Sequence, residues 1–135
     1  MVYLGKGLIK PESNNNRRFN SEQLMRVEEI LNNYVNAIKS IYGSHLRKVI
    51  LYGSYARGDY NESSDVDIMI LLDISDLECK DYQDMLFDMT YDINFDNNVE
   101  INAIAKSEDT FNKWLNAYPF YQNIQNEGVV LYGAA

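Results

Sequence analysis

Two short apolar runs constrain this chain most. Leu46–Tyr52 (LRKVILY) is rich in β-formers and stops abruptly at Gly53-Ser54, and Asp65–Leu72 (DVDIMILL) opens on two carboxylates. Both read as strands, the second as a buried one. Around them the spacing turns helical. Leu24, Val27, Leu31, Tyr34, Ile38 and Ile41 recur at intervals of 3 and 4, one apolar stripe of an amphipathic helix. Asn20 or Ser21 can cap its start, Gln23 stands at the capping-box offset from Asn20, and Gly43 is its stop. Tyr82, Met85, Leu86, Met89 and Ile93 predict a second helix over about Leu77–Ile93, with an Asp-rich opposite face in solvent. Val99–Ala105 is a third strand candidate. Ser107 can cap a further helix carrying Phe111, Trp114 and Leu115 that stops near Pro119, and Val129–Tyr132 can add a last strand after Gly128. This order predicts an α/β (α+β) fold, a small mixed sheet with helices packed mainly on one face.

The chain's 135 residues suit one hydrophobic core. Residues 1–19 lack periodicity and predict an irregular lead-in, with one short extended piece around Val2–Leu4; residues 20–135 are expected to form a single domain. Twelve Lys and Arg against twenty Asp and Glu give a net charge of −8, which argues against stable nucleic-acid binding by bulk electrostatics. The one cysteine, Cys79, excludes an internal disulfide and fits a reducing compartment. No apolar run approaches the roughly 18 residues of a membrane span, and the N-terminus shows no signal-peptide core, so a cytoplasmic protein is expected. The sequon at Asn61 reads as an accident of a polar loop, and the lone His45 as structural or exposed.

The chemistry concentrates between Gly53 and Asp67. Residues i and i+2 of a strand share a face, roughly 6 to 7 Å apart, so Asp65 and Asp67 can converge on a divalent ion while Val66 enters the core. A bare Asp-x-Asp is also common at strand edges. Gly53-Ser54 adds backbone N–H groups and a hydroxyl at a strand-to-helix turn, suitable donors for a phosphate. A phosphate cradle beside a metal-binding strand describes a site for a metal-chelated nucleoside triphosphate. Arg57 is a candidate further phosphate contact, or pairs with Asp59 or another nearby acid.

The spacing Gly53-Ser54, ten residues, Asp65-x-Asp67 resembles the signature of the DNA polymerase beta nucleotidyltransferase superfamily. The run GSYARGDYNESSDVDIMILL is similar to its minimal, MNT-type branch, and the likeness covers about Leu46 to Ile104. The resemblance implies the polymerase-beta-like fold and a third carboxylate on a neighbouring strand that helps deprotonate the attacking hydroxyl. Glu100 in Val99-Glu100-Ile101 fits that pattern; if the strand starts earlier, Asp96 is its competitor. It also implies nucleotidyl transfer with two Mg2+ ions, in which Asp65, Asp67 and Glu100 are metal ligands and catalytic residues. Gly53, Ser54 and Arg57 would bind the nucleotide, with ATP as substrate.

Proteins of this branch and length are similar to the antitoxins of HEPN/MNT toxin–antitoxin pairs, which attach AMP to a tyrosine of the HEPN toxin. That makes a HEPN-domain partner the expected acceptor. Two alternatives stand beside it. One is a module that neutralises its partner by occlusion, and the other is a small-molecule nucleotidyltransferase working as a homo-oligomer, with tyrosines such as Tyr118 and Tyr121 at the shared pocket.

Overall fold

The computed structural model describes residues 21–134, so the expected lead-in and the Asn20 cap lie outside the described residues. Helix α1 (Ser21–Tyr42) ends where Gly43 takes a positive φ of 57°, and one 3-10 turn leads into β1 (Leu46–Tyr52). A one-turn helix α2 (Ser54–Arg57) and a polar loop precede β2 (Val66–Leu72). Next come α3 (Asp76–Cys79), a 3-10 turn and α4 (Gln83–Asn97), then β3 (Ile101–Ser107), α5 (Glu108–Lys113), α6 (Pro119–Glu127) and β4 (Val129–Gly133). The four strands form one mixed sheet in the order β3-β2-β1-β4. β1 pairs antiparallel with β2 and β4, and β2 pairs parallel with β3.

The larger core lies between this sheet and the two long helices. Val27, Leu31, Tyr34 and Ile38 of α1 are buried, with Leu24 and Ile41 packed at the ends of the stripe. They meet Val49 and Leu51 of β1 and Ile68 and Ile70 of β2, each side chain worth about 1.5–3 kcal/mol when fully removed from water. The Tyr34 hydroxyl and Thr90 Oγ1, 2.7 Å apart, tie α1 to α4. Arg26 donates to the Asn97 carbonyl at 2.7 Å, placing a cation at the C-terminal end of α4 where the helix dipole favours it.

Residues of opposite parity, Ile50 of β1 with Met69 and Leu71 of β2, face the other way and pack under Phe111 of α5 and Ile124 of α6. The long helices therefore share one face, while two short ones cover part of the other. Helix α6 departs from the expectation, since the sequence pattern marks no element over Tyr118–Tyr121. Pro119 stands at its first turn, where the missing N–H has no partner to lose.

The helix expected over Leu77–Ile93 is interrupted. A capping box at Ser75 and Glu78 starts the four-residue α3, and the 3-10 turn Lys80–Tyr82 re-aims the chain before α4. Leu86 is buried and Tyr82, Met89 and Ile93 pack against the core as the stripe predicts, while Met85, at the stripe's edge, is 50% exposed. The predicted α5 is also shorter than its sequence suggested, ending at Lys113, with Trp114 just past its end and 40% exposed.

Candidate active site

Tyr52 pairs with Asp67 across β1 and β2, which sets the next residue, Gly53, beside the Asp67 carboxylate. Gly53 has φ 76° and ψ −154°, a conformation side chains resist, and a Cβ there would collide with Asp67 Oδ2. Glycine is thus required twice at one position.

The chain then makes the single turn of α2. Arg57 N–H donates to the Gly53 carbonyl at 3.0 Å, and Gly58, at φ 88°, closes the turn by donating to the Ser54 carbonyl at 2.9 Å. Tyr55 and Tyr60 are buried and stack with ring centroids 4.5 Å apart and planes at 9°, fastening the loop to the core at two points. Asn61 Oδ1 accepts from Ser63 N–H at 2.7 Å, and Asn61 N–H donates to Ser64 Oγ at 2.8 Å. This knot turns the chain into Asp65 and gives the Asn61 side chain a structural task.

Asp65 and Asp67 face the side of the sheet carrying Met69 and Leu71, and the Gly53-Ser54 turn meets them there. The cleft between them has a volume of about 640 Å3, with α6 as its far wall through Phe120, Asn123 and Glu127. Burial first and the neighbouring Asp65 second push the Asp67 carboxyl above its ordinary pKa, and a bond with Asn102 and the Arg57 charge pull it part of the way back. Asn102 Nδ2 also donates to Asp65 Oδ2 at 3.1 Å, so one amide serves both acids. The Tyr52 phenol is pushed up to about 12 by burial and by Asp67. Two crowded carboxylates without a lysine among the lining residues are a donor set suited to Mg2+, which takes one or two protein carboxylates and fills its remaining positions with phosphate oxygens and water.

Five of the six expected site residues, Gly53, Ser54, Arg57, Asp65 and Asp67, line this one cleft. Arg57 does so while paired, Nε to Asp59 Oδ2 at 3.3 Å and Nη1 to Glu127 Oε2 at 3.6 Å. Glu100 stands apart. It precedes β3, is exposed, accepts Val66 N–H at its carbonyl at 2.8 Å and lines two neighbouring depressions instead. Asp96 is exposed in the last turn of α4, away from the cleft. Among the described residues no group of three or more His, Cys, Asp or Glu is placed to hold a metal ion. His45, half-buried, pairs with Asp73 at 2.8 Å at the far end of β1.

Sequence reasoning missed Asn102 and the α6 wall. Asn102 could have been found by counting: parallel pairing sets it directly beside Asp67.

A family model described as the nucleotidyltransferase domain matches residues 31–130, most of the chain. The chain belongs to this nucleotidyltransferase family. A protein of Methanocaldococcus jannaschii provisionally named protein adenylyltransferase MJ0604 is 44% identical over 108 residues, 80% of this chain and 100% of the relative. A second protein of that organism, with the same provisional name and the number MJ1215, is 30% identical over 84 residues, 62% of this chain and 90% of its own length. Among solved structures, a mutant of the toxin–antitoxin MntA–HpeT superposes with a TM-score of 0.48 at 14% identity, covering 76% of this chain and 73% of that one. Among the described residues no helix is long and apolar enough to cross a membrane.

Proposed function

We propose that this nucleotidyltransferase transfers AMP from Mg2+-bound ATP to a hydroxyl, breaking the bond between the α- and β-phosphates and releasing pyrophosphate, the acceptor being a tyrosine of a partner HEPN-domain toxin in the cytoplasm. The observation that carries the reading is the meeting of the Gly53-Ser54 turn with Asp65 and Asp67 in one cleft. The name of the 44% identical relative, matched over its whole length, supports a protein as the acceptor.

In this reading Asp65 and Asp67 hold Mg2+, one ion or two, against the triphosphate. Mg2+ bound there neutralises phosphate charge and fixes the geometry for in-line attack at the α-phosphate. Ser54 and the N–H groups that open α2 hold the outer phosphates, and Arg57 leaves its surface pairs to join them. Glu100 serves as the third acid. What supports its nearness to the metal-binding strand is the bond its main-chain carbonyl accepts from Val66 N–H, at the start of β2. The test is incubation of the chain with its partner, Mg2+ and ATP, followed by intact mass measurement. The expected result is a partner heavier by one AMP; a bound but unmodified partner would sink the proposal.

The position of Glu100 outside the cleft favours a second reading, neutralisation of the partner by occlusion. The double variant Asp65→Asn, Asp67→Asn decides between them: full neutralisation by that variant selects occlusion, and loss of neutralisation selects catalysis.

A further inference from the structure

The solvent face of α4 does not match the polar surface its aspartates predict. Phe87, Tyr91 and Phe95 follow one another at four-residue spacing and are 60%, 60% and 77% exposed. Their rings form a continuous row, with centroids 6.5 and 6.3 Å apart. A single exposed aromatic needs no explanation, but an ordered row along one helix does. Asp84, Asp88, Asp92 and Asp96 form a second exposed row beside it, and α4 contains no Lys, Arg or His. The nearby Arg26 is already engaged with the Asn97 carbonyl.

The aromatic row borders a groove of about 440 Å3 between α4 and β3, with Leu86 and Ala103 in its lining. β3 is an edge strand, which could in principle accept an added strand. Its ends are closed to that: Asn94 takes both the N–H and the carbonyl of Ile101, and Asp76 takes the N–H of Ser107. Side chains are therefore what the groove can receive. The groove reaches Asn102, which holds Asp65, so an occupant would lie against the rim of the nucleotide cleft.

We propose that α4 and the β3 edge form the docking surface for the acceptor protein, which presents an apolar helix flanked by Lys or Arg. The inference rests on the protein-acceptor reading above and adds where that protein binds and what chemistry it shows. Apolar side chains of its helix would enter between the aromatic row and β3, and its cations would meet the aspartate row. A second copy of this chain fits poorly, because an isologous contact would set two acidic rows against each other in a protein of net charge −8.

The test uses the full chain, nitrogen-labelled, and two designed amphipathic helical peptides with a leucine face, one flanked by Lys and the other by Glu. The Lys peptide is expected to shift amide signals of α4 and β3, and the Glu peptide to leave them unmoved. Phe87→Ser with Tyr91→Ser, both on the exposed face, should weaken the Lys peptide by about tenfold or more while leaving Mg2+-ATP binding unchanged. Equal binding of both peptides, shifts confined to another surface, or an unaffected double variant overturns the proposal. So does sedimentation showing a dimer of the wild-type chain that the double variant abolishes. Peptide docking on a chain that fails to bind Mg2+-ATP would leave this surface standing and remove the nucleotidyl-transfer reading alone.

Discussion

Gly53 lies so close to Asp67 that the carboxylate occupies the space where a side chain at position 53 would begin. The contact joins the phosphate-side turn to the metal-side strand, so a change in one displaces the other. Gly53→Ala should destabilise the fold by about 1–3 kcal/mol from backbone strain and also push Asp67 out of place. Thermal melting with and without Mg2+-ATP checks this: a lower melting point and loss of the ligand-induced rise are expected.

Asp67 sets a pH dependence. Its carboxyl titrates above the ordinary 3.8, through burial and then Asp65, so between those values the folded chain holds more protons than the unfolded one. The group's unfavourable contribution is absent below the ordinary value, grows as pH rises through the window and is complete above the raised pKa. Asp67→Asn should therefore raise the melting point at neutral pH and not at pH 3. A change of about 1 kcal/mol corresponds to roughly 2–8 °C in small domains. Mg2+ should stabilise the wild type and have little effect on the variant.

Glu100 can be separated from the metal pair by kinetics. If it takes the acceptor proton, Glu100→Gln should lower the transfer rate by about 100-fold or more while nucleotide affinity stays near wild type. An unchanged single-turnover rate would remove Glu100 from the mechanism.

Arg57 holds two exposed acids, and such pairs contribute roughly 0–1 kcal/mol each. Arg57→Ala should melt close to the wild type yet raise KM for ATP several-fold. Glu127→Gln, which releases one of the pairs, should leave KM unchanged or lower it.

Removal of one ring from the Tyr55–Tyr60 stack tests the loop's anchoring. Tyr60→Ala should lower stability by about 3–5 kcal/mol, as for other large buried aromatics, and weaken nucleotide binding in whatever fraction remains folded. Denaturant melts followed by ATP titration in the folded range measure both effects.

The features legible in the sequence are those set by local periodicity. The α1 stripe is long enough to override noise, β1 runs over the residues its composition marks, and Gly43 ends the helix where a positive φ is needed. Gly53, Ser54, Asp65 and Asp67 were readable because one hairpin brings them together. Glu100 shows where such reading stops. Its pattern is right, but β3 begins one residue later, and the position beside Asp67 falls to Asn102. Helix α6 was hidden because only Ile124 in it is buried, so it lacks a long stripe. Met85 shows the limit of a spacing count: it falls at the edge of the stripe formed by Leu86, Met89 and Ile93, and there the fold leaves it half exposed.

The pairing of Tyr52 with Asp67 has a consequence for how the motif's ten-residue spacer should be understood. The sheet, through that pairing, sets how far Gly53 lies from the carboxylates, and the loop merely bridges a gap already fixed. Residues inserted at the exposed Glu62-Ser63 tip would cost the bonds of Asn61 to Ser63 and Ser64, yet the register of Tyr52 with Asp67 should hold. Loss of residues from the Tyr55–Tyr60 half would instead unseat the plug that keeps α2 in place. The invariant quantity in this site is a strand register, and the spacer length is the part open to variation.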